Sequence, residues 1–182
     1  FRSIPLKNFQ PLAKISGVQL LSLQRGFGTE QLAALGGRME VHTLGDNLDT
    51  ASGPFMDTAA VMKNLDLVIT SDTAVAHLAG ALGVPAWLAL TLVPDWRWFL
   101  NRQDSPWYPS LQLFRQEKPG EWGPVFRKIA AALLAENPAL RMKSPEEYRL
   151  ADGDLNRLVR GRHGLTLYNM HDKYIGRSLE LY

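Results

Sequence analysis

The sequence predicts an α/β domain with a doubly wound parallel sheet, and three observations support this prediction. Short apolar runs of strand length alternate with helical segments over residues 1–136. The apolar runs are continuous rather than alternating, which is typical of strands buried on both faces of a parallel sheet. Gly83 and Pro85 stand together between a helical segment and an apolar run, where they are expected to end the helix.

The elements follow one another in a regular order. Five apolar runs are predicted to be strands: 18–23, 41–44, 67–70, 86–90 and 111–114. Four segments are predicted to be helices: 29–35, 57–65, 73–82 and 124–135. The apolar spacing within the first 16 residues suggests a further helix or its lead-in, and we expect the first strand of the sheet to lie upstream of Phe1.

The character of the chain changes after Glu136. Asn137-Pro138 and Ser144-Pro145 predict a linker over residues 137–149. Residues 150–182 carry a new and short apolar pattern that cannot hold a core of its own, so we interpret them as the start of a second, truncated domain.

Composition excludes several classes of function. The net charge of +2 comes without a basic run, so nucleic acid is not an expected partner. The chain has no Cys, and its four His are scattered, so we expect neither a thiol site nor a metal site. No apolar stretch reaches the ~20 residues of a membrane span. We expect a cytoplasmic location, either free in the cytoplasm or peripheral at the inner face of the membrane.

The segment 66–90 carries the most specific pattern. Ser71, Asp72 and Thr73 follow a buried strand and begin a helix, at the sheet edge where α/β proteins bind ligands. A helix start attracts phosphate, small Ala74 leaves room for close approach, and His77 leans back toward the same anion. The alternative is that Asp72 and Thr73 cap the helix and His77 is an ordinary, partly buried histidine.

Two loops hold further candidates. Asp95, Trp96 and Arg97 follow the fourth strand and suit a base and sugar pocket, with Arg97 the better candidate for ligand contact. The alternative is that Trp96, Trp98 and Trp107 pack beneath the loop as a satellite core. Asp46 and Asp49 could bind a ribose hydroxyl, but a turn is the favoured interpretation.

The stretch FMDTAAVMKNLDLVITSDTAVAHLAGALGVPAWLAL, with RSIPL at residues 2–6 and SLQRG at residues 22–26, resembles a known family. It is similar to the C-terminal domain of heptosyltransferase-like GT-B glycosyltransferases, most closely the bacterial proteins in which this domain follows tetratricopeptide repeats. The resemblance covers about residues 1–130 and implies a Rossmann-like nucleotide-sugar-binding domain over residues 1–136. The expected donor-binding residues are Ser71, Asp72, Thr73, Ala74, His77, Gln24, Arg25, Asp95, Trp96 and Arg97.

In that family the Asp-Thr-Ala-x-x-His-Leu-Ala type of segment binds the diphosphate of the donor, and the resemblance places Gln24 and Arg25 at a strand end facing it. It implies transfer to a hydroxyl of a glycan, lipid or protein without a bound metal. The general base would belong to an N-terminal domain, so this part alone is expected to be inactive.

The segment RHGLTLYNMHDKYIGRSLELY at residues 162–182 resembles the opening of FkbM-like methyltransferase domains. This resemblance implies S-adenosylmethionine as a cofactor only where the rest of such a domain follows; no other tightly bound cofactor is expected. Two alternatives to glycosyl transfer therefore stay open: a non-catalytic scaffold, and an accessory part of a methyltransferase.

Overall fold

The computed structural model describes residues 3–142 and 166–167 of the chain, and these form an α/β fold. Within that part of the chain the strands are β1 (Ile15–Ser16), β2 (Leu21–Ser22), β3 (His42–Thr43), β4 (Val68–Ser71), β5 (Ala86–Leu90), β6 (Leu111–Arg115), β7 (Arg141–Met142) and β8 (Thr166–Leu167). The α-helices are α1 (Gln10–Ala13), α2 (Glu30–Ala34), α3 (Met56–Met62), α4 (Ala74–Leu82) and α5 (Trp122–Glu136), and Leu6–Phe9 and Trp96–Trp98 form 3-10 turns.

The predicted parallel sheet is confirmed. Its strand order is β6-β5-β4-β8, and all three pairings in it are parallel. Every residue of β4 and β5 is buried, which explains why these strands read as unbroken apolar runs. The carboxyl ends of β4, β5 and β6 therefore meet at one edge, which we call the carboxyl edge.

Two helices cover the sheet where the chain is most apolar. α5 buries one stripe of its surface against β5, β6 and the segment Leu6–Ala13, with the rings of Phe9 and Phe126 4.2 Å apart. α4 packs on β4, β5 and α3. Because α4 directly follows β4, its N-terminus stands at the carboxyl edge.

The strands outside this sheet are shorter than predicted. The run 18–23 contributes only β2, and the run 41–44 only β3, which pair in parallel with each other. β1 pairs antiparallel with β7, within the segment predicted to be a linker. Such two-residue strands depend on their partner rather than on a local pattern. The predicted second domain at residues 150–182 lies outside the described residues, apart from β8.

No helix in the described part of the chain combines the length and the apolar character that crossing a membrane requires.

Candidate functional site

The start of α4 forms the centre of the site. β4 ends at the buried Ser71, and Asp72 and Thr73 connect it to the helix. Thr73 is extended, with φ −143° and ψ 176°, so the helix begins abruptly at Ala74. Ala74, the first residue of the helix, is exposed, and its side chain is only a methyl group. The backbone amides of a helix start in such a setting attract anions.

Thr73 does not cap the helix with its side chain. Its hydroxyl lies 3.4 Å from the Thr70 hydroxyl and 3.5 Å from the Ser71 carbonyl. The two roles predicted for Thr73 were a cap and a contact to phosphate, and the structure does not show the first. The hydroxyl remains at the helix start, within reach of a group bound there.

Asp72 is tied to the loop that follows β5. Its Oδ1 accepts a hydrogen bond of 2.7 Å from the indole Nε1 of Trp98, and both side chains are buried. Trp98 therefore belongs to the core, as one of the two interpretations held. Trp96 and Trp107 do not, because they are 66% and 53% exposed.

His77 lies one turn into α4 and packs against the same loop. Its ring stacks on Trp98 at a centroid distance of 5.2 Å, and its Nδ1 is 3.1 Å from the hydroxyl of Tyr108. Tyr108 also covers Gly80, where an added Cβ would stand 2.3 Å from the ring carbon Cγ. No sequence pattern marks Tyr108 itself, but a glycine inside a helix is the kind of signal that marks such a close approach.

Burial lowers the pKa of His77 below its usual 6.5. Asp72 and Asp95 act in the opposite direction, and Arg97 adds to the lowering. In the absence of a bound anion, the lowered pKa thus favours the neutral form of His77. A diphosphate at the start of α4 would favour the protonated form and draw a proton onto the ring.

The lowered pKa of His77 predicts a pH-dependent stability. Between the lowered pKa and 6.5 the unfolded chain binds the proton more readily than the folded one. The stability that neutral His77 provides is therefore complete above pH 6.5 and decreases as the pH falls through the lowered value. We expect His77→Gln to lose less stability than the parent protein between about pH 7.5 and 5. Denaturant midpoints across this range measure the difference, and parallel curves would contradict it.

Asp95, Trp96 and Arg97 form a preassembled group at the surface. Arg97 donates to Asp95 Oδ1 at 2.8 Å, and its guanidinium carbon lies 4.9 Å from the ring centre of Trp96. Trp107 donates from Nε1 to the Arg97 carbonyl at 3.1 Å. An open depression borders this group and is lined by Pro94, Asp95, Trp96, Phe99, Leu100, Asn101 and Arg102.

Gln24 and Arg25 follow β2 and make contacts of their own. Gln24 is buried and donates to the Phe27 carbonyl at 2.5 Å, while its Oε1 has no hydrogen-bond partner among the described residues. Arg25 donates to the carbonyl of Asp46 at 3.2 Å. The structure thus joins Asp72 and His77 through Trp98, and it holds Gln24 and Arg25 by contacts within the loops after β2 and β3.

Asp49 acts as a cap, in agreement with the favoured turn. Its Oδ1 accepts from the backbone amides of Asp57 and Thr58 at 2.8 and 3.1 Å, and Asp57 Oδ2 accepts from the Asp49 amide at 2.7 Å. The two carboxylates close the start of α3 reciprocally, which leaves the ribose interpretation without support.

Metal ligation has no clear candidate, since residues 3–142 contain no cluster of three or more His, Asp or Glu side chains that could hold an ion.

A curated protein is similar to part of the chain. The sequence is 32% identical over 129 residues to "Protein FlbA" of Caulobacter vibrioides, a match that covers 71% of this chain and 21% of that protein. The chain thus spans about a fifth of the length of this relative. No family profile matches the chain, and no solved structure does.

Proposed function

We propose that this chain is the donor-binding half of a GT-B glycosyltransferase and binds the diphosphate of a nucleotide sugar at the start of α4. The observation that carries the proposal is the position of that helix start. It stands at the carboxyl edge of a parallel sheet, Thr73 leaves it without a side-chain cap, and its first residue is the small, exposed Ala74. Helix dipole and backbone amides together favour a phosphate there.

Several side chains complement this anion site. His77 gains a proton as negative charge approaches, and Arg97 supplies a permanent cation on the loop after β5. When an acceptor hydroxyl attacks the anomeric carbon, its proton passes to a general base, expected in an N-terminal domain, the bond to the diphosphate breaks and negative charge develops on the leaving oxygen. The helix start and the cations stabilise that charge, which accelerates the step without a metal.

The exposed Trp96 offers an aromatic surface for the base or the sugar of the donor. Its indole face can stack on a planar base or on the apolar face of a sugar, with Arg97 and Trp107 fixing its position. Acceptors of this reaction would be hydroxyls of a glycan, lipid or protein. The proposal implies a cytoplasmic location, where nucleotide-sugar donors are made.

Calorimetric titration of the whole protein with UDP, GDP and ADP sugars tests the proposal. We expect one donor class to bind, and we expect Thr73→Ala combined with His77→Ala to weaken binding about a hundredfold. Two charge-assisted hydrogen bonds, each of about 1.5 kcal/mol, account for that loss.

The matched control combines His42→Ala with Thr50→Ala, which removes the same residue types outside α4. Equal loss in both double variants would count against the site. Absence of binding by the parent protein to every donor would remove the proposal.

A second candidate, a non-catalytic scaffold, is favoured by one observation. The contacts of His77 with Trp98 and Tyr108 are those of a packed core residue. In that case the Thr73 and His77 double variant loses stability but leaves the activity of the whole protein unchanged. A role with S-adenosylmethionine concerns residues outside the described part of the chain.

A further inference from the structure

Arg115 stands at the same edge as the start of α4 but was not among the expected site residues. It is the last residue of β6 and lies beside Leu90, the last residue of β5. Its Nη2 donates to the backbone carbonyl of Trp98 at 3.2 Å. Because Trp98 also contacts Asp72 and His77, one residue separates Arg115 from the proposed diphosphate site.

The charge of Arg115 has no partner of opposite sign in the part of the chain that the structure describes. Its Nη1 is buried and makes no hydrogen bond to any described residue. Burial alone lowers the pKa of the guanidinium, and no carboxylate raises it. By contrast, Arg97 and Arg102 on the neighbouring loop are paired with Asp95 and Asp104. A half-buried cation without a counter-charge is available to pair with the anionic group of a ligand.

The segment over Arg115 is held in an unfavourable conformation. Phe99 follows Trp98 with φ 53° and ψ −178°, a region that residues other than glycine rarely occupy. The only acceptor that Arg115 has among the described residues is therefore a neutral carbonyl beside a strained residue. Displacing this carbonyl would free both terminal nitrogens of the guanidinium.

We propose that Arg115 binds a phosphate group of the donor in place of the Trp98 carbonyl. This inference rests on the proposed function and adds to it a cation beneath the loop. The planar guanidinium presents two parallel donors, which fits two phosphate oxygens better than one carbonyl. An acidic sugar would offer a carboxylate of the same geometry, so the experiment separates the two sources of anion.

The test compares Arg115→Met with Arg127→Met in the whole protein. Met retains much of the apolar stem and removes the charge, and Arg127 is an exposed arginine of α5 that is not part of the proposed site. Inorganic pyrophosphate, the nucleoside diphosphate and the nucleotide sugar are titrated, and affinities refer to the folded fraction. We expect Arg115→Met to weaken binding of all three at least about tenfold without lowering the melting temperature, whereas Arg127→Met changes neither.

The outcomes are distinct. If the parent protein binds a nucleoside diphosphate and Arg115→Met binds it equally well, this inference fails and the proposed function stands. A loss restricted to sugars with a carboxylate would assign Arg115 to the sugar and overturn the phosphate contact. If the parent protein binds none of the three, the proposed function and this inference fail together.

Discussion

Replacing Trp98 with alanine should lower the free energy of unfolding by about 3–5 kcal/mol, the range for removing a buried aromatic side chain. Trp98 is fully buried and supports the site on three sides, by its bond to Asp72, its stacking on His77 and its carbonyl bond to Arg115. The loss is a large part of the stability of an ordinary domain, about 5–15 kcal/mol. Calorimetric unfolding measures it directly.

Two further variants separate volume from hydrogen bonding. Trp98→Phe keeps a ring against His77 but removes the donor to the Asp72 carboxylate, and we expect a smaller loss of about 1.5–3 kcal/mol. Trp96→Ala removes an exposed indole two residues away and should change stability by less than about 0.5 kcal/mol. If Trp98→Ala and Trp96→Ala were equally destabilised, the core position of Trp98 would be wrong.

Replacing Ala74 with glutamate should abolish donor binding without damaging the fold. A carboxylate in the first turn interacts favourably with the helix dipole, by about 0.3–1 kcal/mol, so stability should be unchanged or slightly higher. The same carboxylate would occupy the place of the diphosphate. Repulsion between like charges about 4 Å apart is about 4 kcal/mol near a protein surface, which corresponds to an affinity loss of about three orders of magnitude.

Two controls accompany the Ala74→Glu variant. Ala74→Gln has nearly the same size and no charge, so the difference between the two variants reports electrostatics alone. Ala81→Glu places the carboxylate on an exposed position near the other end of α4 and should leave affinity unchanged. Donor affinity in Ala74→Glu equal to that of the parent protein would exclude the start of α4 as the diphosphate site.

The parts of the fold that the sequence predicts well are those with a strong local pattern. β4 and β5 are fully buried strands with strong apolar runs, β6 carries the buried pair Leu111 and Leu113, and α5 has a long amphipathic repeat, so their positions agree within a few residues. β1 and β7 have two residues each and exist through mutual pairing, which no local pattern encodes. β2 is shorter than the predicted run because its apolar neighbours Val18, Leu20 and Leu23 are buried without being part of the strand, whereas β3 is short although its neighbour Leu44 is exposed.

In the candidate site, too, the residues with a local sequence pattern could be predicted, and the contacts made across the fold could not. Ser71, Asp72 and Thr73 follow from a strand, a short turn and a helix in sequence order, so their place at the carboxyl edge could be predicted. The partners of Asp72 and His77 come from a loop beyond the next strand, and only the folded chain brings Trp98 and Tyr108 to them. From the sequence alone, Arg115 is an ordinary charged residue near the end of a predicted strand. Only the structure shows that no described carboxylate pairs with its guanidinium.

The contact between Gly80 and Tyr108 limits how this sequence can diverge. A methyl group at position 80 would overlap the phenol ring, so a larger residue becomes acceptable there only after the aromatic side chain at 108 has become small. Losing that ring would also deprive His77 of its hydroxyl neighbour. Substitutions at the two positions are therefore coupled in one direction: homologues that keep the tyrosine should keep the glycine, and those with a larger residue at position 80 should have a small residue at position 108.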